Sequence, residues 1–529
     1  MENVEQNAEQ FVSAHVAEVE PLMREEALEE WESAATGAPE HDERVAQLRA
    51  RMMRIYADEG RFARVRALNE TDLSGNPSLA RQVQLLFYSF SKGQQDEKTI
   101  DQITQLQKEA EATFNTFRGV FEGKPRSDND LATVLMTETD SERLRAAWEA
   151  SKQIGEKVAD KVIALARLRN DAAQRAGYAN HYAKNLRLNE IDEDRLFQTL
   201  DELDRLTSEP FRLVKAELDA ILAERYQVPV SALRPWHYHD PFFQRPPRVG
   251  AVNVDRFLAG RSLEEIAIRG YDGIGMDVRD TLARSDLYAR PNKYQHAFCT
   301  DIDRKGDVRV MCSLESDERW METLLHELGH AVYDTYLDST LPFLLRRPAH
   351  TLSTEAIAML MGRLALNPEW LVEVAGAPAD EVAEVAPHLR ARQRLGMLIF
   401  VRWVLVVTNF ERALYANPER DLNTLWWDLV ERYQMLTRPE GRQAPDWAAK
   451  IHLALYPVYY QNYMLGELMA SQLNRAIGQR YGRLINTSAA GEFLRTELFR
   501  RGARADWDTT LAQVTGEPLS ARYFAEDFV

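Results

Sequence analysis

The chain has 529 residues, 45% apolar and 28% charged, an ordinary balance for a folded protein that excludes the disordered and fibrous classes. Its 65 basic residues against 82 acidic leave a net charge of −17, which argues against nucleic acid or an anionic membrane surface as partner. The length suggests two or three lobes, although a helical protein of this size can be continuous.

The N-terminus, MENVEQNAEQF, has no basic segment followed by an apolar run, so a cytoplasmic protein is expected; a removed leader would leave the periplasm or secretion open. Helical periodicity dominates most of the chain. Apolar residues recur at three- and four-residue spacing from Leu144 through Tyr182, with Thr139 and Glu142 as a capping-box signal, and again from Leu196 to Tyr226. The Pro- and aromatic-rich stretch 235–247, PWHYHDPFFQRPP, reads as a loop between halves, with boundaries expected at 1–245 and 246–529, the halves interleaving in one continuous domain. His237 and His239 within it stay outside the candidate site. Ser262 with Glu265 opens another helix.

Residues 294–314, YQHAFCTDIDRKGDVRVMCSL, break the helical pattern and suit a β-hairpin turning near Lys305-Gly306. A two-residue turn would set Cys299 opposite Cys312, so a disulfide is one option and structural thiols the other. LLHELGHAVYDTY (324–336) comes directly after the hairpin, on a helix running to about Leu337. Histidines at i and i+4 lie about 40° apart on one helix face, so His326 and His330 are expected to chelate one zinc ion. Glu327, turned by about 100° from His326, is placed to act as general base on a water. A catalytic zinc needs a third protein ligand and one open position. TLSTEAIAMLMGRL (351–364) supplies Glu355 in the first turn of a second helix, capped by Thr351 or Ser353 and able to pack antiparallel to the first. Asp334 either orients an imidazole or faces solvent. Leu395 to Val407, LGMLIFVRWVLVV, is too short to span a bilayer and carries Arg402; it reads as a buried core helix, and no membrane insertion is expected.

With these residues placed, the chain resembles gluzincin peptidases of the angiotensin-converting enzyme type, related to the thimet oligopeptidase and oligopeptidase F group. QHAF, 30 residues before His326, looks like that family's edge strand, whose His296 and Ala297 would hold a substrate main chain. LWWDLVERYQ (425–434) and APDWAAKIHLALYPVYYQNYMLGEL (444–468) are similar to its C-terminal segment. The resemblance implies that His452 and Tyr463 donate to the oxyanion and that Lys450 and Tyr460 grip a C-terminal carboxylate; the intervening loop is one residue longer here, so Tyr459 is an alternative to Tyr460. LARLRNDAAQRAGYANHY (165–182) looks like an N-terminal family helix. Val430 and Asn462 stand where animal enzymes hold chloride with arginines, and Met359 replaces an acid one turn after the glutamate ligand.

The resemblance implies a mainly α fold of two helical halves around a deep channel, with a small antiparallel hairpin beside the HExxH helix. It implies a zinc metallopeptidase for short peptides, acting as a peptidyl-dipeptidase; the rivals are an endo-acting oligopeptidase and a zinc-binding peptide receptor without turnover.

Overall fold

A computed structural model describes residues 2–247 and 253–529. The long apolar periodicities become long helices: α1 (Glu2–Thr36), α2 (Pro39–Ala57), α3 (Ser141–Arg175), α4 (Glu193–Tyr226), α5 (Glu318–Thr335), α6 (Thr351–Gly362), α7 (Ala379–Ala416) and α8 (Tyr460–Tyr481). Further helices, among them Pro77–Gly93 and Glu97–Thr116, join them. Extended structure among the described residues is limited to two antiparallel pairs, β1 (Gly119–Phe121) with β2 (Lys124–Arg126) and β3 (Phe298–Asp301) with β4 (Val308–Met311). The protein is mainly α, as expected.

Local chemistry sets the boundaries. The helix expected over 144–182 is two helices, because Gly177 at φ +85° closes α3, with Tyr178 N donating to the Ala173 carbonyl at 3.0 Å. Asn180 then caps a second helix, His181–Leu188, accepting from Ala183 N at 2.9 Å. The start of α3 also differs from the Thr139–Glu142 capping box. Asp140 is the cap, accepting from Arg143 N at 2.8 Å, while Glu138 takes the N–H groups of Thr139 and Asp140. Ser262 caps its helix as expected.

One large hydrophobic core runs from Ala110 to Phe528 and includes Trp148, Trp403 and Leu468. The 395–407 run lies in the middle of α7 within that core, and its Arg402, 1% exposed, pairs with Asp204 and Thr207. Charge pairing of this kind is what permits a guanidinium inside. No helix among the described residues is long and apolar enough to cross a membrane.

The hairpin differs from expectation in register. Phe298 pairs with Met311 and Asp301 with Val308, so Cys299 faces Val310 and both cysteines are free. The cause is the loop. Asp301 accepts from Arg304 N at 2.8 Å and Asp303 from Lys305 N at 2.7 Å, holding a six-residue connection where a two-residue turn was expected. On the other side β4 bonds to residue 286, Asp286 N to Val310 O at 3.0 Å, whereas β3 has no further strand beside it among the described residues.

Candidate active site

Three helices meet at the HExxH segment because glycines let their backbones touch. A Cβ added at Gly329 on α5 would stand 2.6 Å from Ala358 Cα on α6, and one at Gly466 on α8 would stand 3.3 Å from Glu355 Cβ. Asp317 fixes the start of α5 by accepting from Trp320 N at 2.8 Å. The start of α6 is fixed by His350, whose Nδ1 accepts from Leu352 N at 3.0 Å, in place of the expected Thr351 or Ser353; Ser353 is buried. Glu355 is thereby held in the first turns of α6, facing α5.

His326, His330 and Glu355 converge. Glu355 Oε2 lies 3.6 Å from His326 Nε2 and 3.8 Å from His330 Nε2, and all three donor atoms lie within 4.8 Å of one another. Bonds of about 2.0–2.1 Å to a tetrahedral zinc require donors roughly 3.4 Å apart, so two imidazoles and one carboxylate fit such an ion with small adjustment. Burial holds His326 down to about 4, and burial with the neighbouring His326 holds His330 down to about 3, so both rings keep neutral, ligating nitrogens. His330 Nδ1 is hydrogen-bonded to Thr354 Oγ1 at 2.8 Å, and in the tautomer that carries its proton on Nδ1 the ring leaves Nε2 free for an ion. Thr354 rather than Asp334 therefore orients that ring. The Asp334 carboxyl, pushed up by burial and then by Asp301, lies near Arg304 and makes no hydrogen bond to either imidazole among the described residues.

Glu327 is 8% exposed, and burial with the Glu355 charge raises it to about 8, opposed by a hydrogen bond from the Cys299 backbone. Burial and then Glu467 raise Glu355 to about 7. A dication beside these carboxyls favours their charged forms and opposes both shifts. A buried carboxylate flanking a chelate is suited to taking and returning one proton.

A second group gathers around the start of α8. Lys450 Nζ donates to Gln244 Oε1 at 2.8 Å and lies 5.4 Å from the Tyr460 ring. Trp403 Nε1 donates to the Tyr460 hydroxyl at 2.8 Å, leaving the Tyr460 O–H free to donate. The ring of His452 is 5.0 Å from that of Tyr460, and burial followed by the Lys450 charge holds it down to about 4. Tyr463 lies 5.5 Å from Tyr460, raised by burial and then by the Glu355 charge. Tyr459 meets Tyr463 edge to face at 5.2 Å, and Tyr460 is the tyrosine beside Lys450. In the loop between His452 and Tyr463, Val458 is held at φ +55° by Glu411, which accepts its N–H at 2.7 Å, and by Gln461, which donates to its carbonyl at 2.7 Å.

Ala297, Phe298 and Cys299 line the same cavity as the three converging residues, while His296 is exposed beside Tyr294, ring centroids 5.3 Å apart. His237 and His239 are buried and bonded, to Ser141 Oγ at 2.9 Å and Tyr226 OH at 2.7 Å, as structural residues would be. Gln244 and Thr354 were missed in the sequence because each acts through a partner distant along the chain or on another helix.

The sequence profile of the family described as "Angiotensin-converting enzyme", peptidase family M2, matches residues 2–227 and 287–528. The chain is 21% identical to the angiotensin-converting enzyme-related protein of Drosophila melanogaster over 243 residues, 42% of this chain and 38% of that protein. It is 23% identical to the mitochondrial intermediate peptidase of Coccidioides immitis over 236 residues, 42% of this chain and 29% of the other. It is also 23% identical to the inactive angiotensin-converting enzyme-related protein of Caenorhabditis elegans over 168 residues, 31% of this chain and 18% of that protein. Each match thus spans well under half of the relative's length.

Proposed function

The chain belongs to the angiotensin-converting enzyme family of peptidases, and from that premise we propose that it is a zinc-dependent peptidase that removes dipeptides from the carboxyl end of short peptides. The observation that carries the reading is the convergence of His326, His330 and Glu355 with the buried Glu327 beside them. When bound by those three residues, zinc supplies a Lewis acid for the scissile carbonyl and acidifies a water.

The chain's own residues do the rest. Glu327 takes the proton of the attacking water and passes it to the leaving amine, a role worth about 10²- to 10⁴-fold in rate. Tyr463 and His452 donate to the oxyanion that develops on the scissile carbonyl; burial raises the Tyr463 hydroxyl and lowers the His452 ring, so both are neutral donors. The edge of β3, with Ala297 and His296 ahead of it, orients the peptide main chain by strand addition. Lys450, supported by Gln244 and Tyr460, receives the free carboxylate of the substrate. In this reading residues 1–245 wall the site and 246–529 carry its chemistry.

A fixed cation for a terminal carboxylate favours the dipeptidase over an endo-acting oligopeptidase. Peptides identical except for a free or amidated C-terminus distinguish the two by mass spectrometry of the products. The proposal expects the free acid to be cleaved at least about tenfold faster, with dipeptides released; equal rates would remove the carboxylate grip.

A further inference from the structure

His452 stands at one end of the segment 453–459, and the first turn of α8, with Tyr460 and Tyr463, stands at the other. His452 Nδ1 is buried without a hydrogen-bond partner among the described residues, so the place of this ring follows from its packing and from the backbone that carries it. That backbone has two buried anchors. Arg169 on α3, 5% exposed, donates from Nη2 to the Ala454 carbonyl at 3.1 Å and from Nη1 to the Tyr415 hydroxyl at 3.1 Å. Glu411 on α7, 2% exposed, accepts the Val458 N–H at 2.7 Å, its one hydrogen bond among the described residues. Ala454 follows His452 by two residues and Val458 precedes Tyr460 by two, so the anchors bracket the segment that separates the two ends.

Both the anchor and the residue it holds are unfavourable where they stand. Burial pushes the Glu411 carboxyl up to about 8, while the Val458 N–H and then the Arg169 charge pull it the other way. Apolar side chains of similar volume are often as stable or more stable in such positions. Val458 is β-branched yet sits at φ +55°, a left-handed conformation that such residues avoid. Gln461 donates to its carbonyl at 2.7 Å, so the strained residue is bonded through both its N–H and its C=O. Strain of this kind persists only where the surroundings over-determine it. What the arrangement achieves is a fixed spacing between ring centroids, 5.0 Å from His452 to Tyr460 and 5.5 Å from Tyr460 to Tyr463.

We infer that Glu411, with Arg169, is a positioning residue for hydrolysis: by holding the Val458 N–H and the Ala454 carbonyl, the pair keeps His452 and Tyr463 aimed at one oxyanion. This rests on the peptidase reading above. Neither side chain touches substrate in this scheme. Donors fixed before charge develops need no rearrangement as it forms, and a displacement of about 1 Å can cost roughly 100-fold in rate.

The test combines hydrogen exchange, read by mass spectrometry over 454–460, with steady-state hydrolysis of one short peptide by the zinc-loaded full chain. In the unaltered protein this segment is expected to exchange as slowly as the middle of α7; exchange as fast as an exposed loop would overturn the inference without any variant. Glu411→Met keeps the volume and loses the acceptor. It is expected to lower kcat by about 10- to 100-fold with KM within about twofold, zinc content unaltered and exchange over 454–460 faster. Glu411→Gln keeps an amide oxygen that can accept the Val458 N–H, so its kcat is expected to stay within about threefold. Glycine adopts a positive φ at no steric cost, so Val458→Gly added to Glu411→Met is expected to restore most of the lost kcat. An unchanged kcat in Glu411→Met, or a loss that the glycine leaves in place, would overturn the inference. Failure of the unaltered chain to hydrolyse any peptide would instead remove the peptidase reading on which it rests.

Discussion

At the scale of single residues, the site depends on groups that hold its reactive atoms as much as on those atoms themselves. For His330 to ligate through Nε2 its other nitrogen must carry the proton, and the Thr354 hydroxyl, 2.8 Å from that Nδ1, is the group that can accept it. Partners of this kind are worth about 10- to 100-fold in metal affinity. Thr354→Val keeps the volume and removes the acceptor, so zinc affinity measured by competition with a chromogenic chelator is expected to fall by roughly that factor while melting of the metal-free protein changes little. Unchanged affinity would mean that the ring is oriented by packing alone. The HExxH residues were legible in the sequence because their geometry is set by helix periodicity, a local property. Thr354 and Gln244 were not, because a hydroxyl next to Glu355 or an amide 206 residues from Lys450 acquires meaning only when distant segments meet.

At the scale of elements, the decisive contact is the crossing of α5 and α6. A methyl at Gly329 would meet the backbone of Ala358 at 2.6 Å, a contact that no rotamer change relieves. Gly329→Ala gains about 0.5–1 kcal/mol in helix propensity but is expected to cost more, about 1–3 kcal/mol, through overpacking. The net expectation is lower stability in urea titrations together with weaker zinc binding, because His330 and Glu355 ride on the two helices being pushed apart. A more stable variant with unchanged affinity would show that the crossing is looser than its backbone separation implies. The small-residue positions of α5 and the acid of α6 were readable as a packed pair from the sequence. The cap of α6 was not, since a histidine is an unusual N-cap and Thr351 and Ser353 both satisfy the usual pattern. The hairpin was likewise recognised while its register was missed by two residues. Strand alternation identifies a hairpin, but Asp301 and Asp303 determined the loop length through side-chain hydrogen bonds that a two-residue turn has no room for.

At the scale of the whole molecule, the first helix packs against the hairpin that carries the strand edge. Trp31 and Ala35 of α1 pack with Ile302 and Met311, and Tyr294 N donates to the Ala34 carbonyl at 2.8 Å. Residues near the start of the chain thus border the segment that leads into the HExxH helix more than 250 residues later, which periodicity cannot reveal. The mainly helical class was legible because long amphipathic stretches dominate the sequence. All of these features serve one claim: that His326, His330 and Glu355 hold a divalent ion that Glu327 uses for hydrolysis. The most direct measurement pairs metal analysis with peptide hydrolysis for the purified chain and for Glu327→Gln. The account predicts one zinc per chain in both, hydrolysis that a chelator abolishes and zinc restores in the first, and a rate about 10²- to 10⁴-fold lower in the second. A chain that binds no metal, or a Glu327→Gln variant that hydrolyses peptides at the unaltered rate, would contradict it.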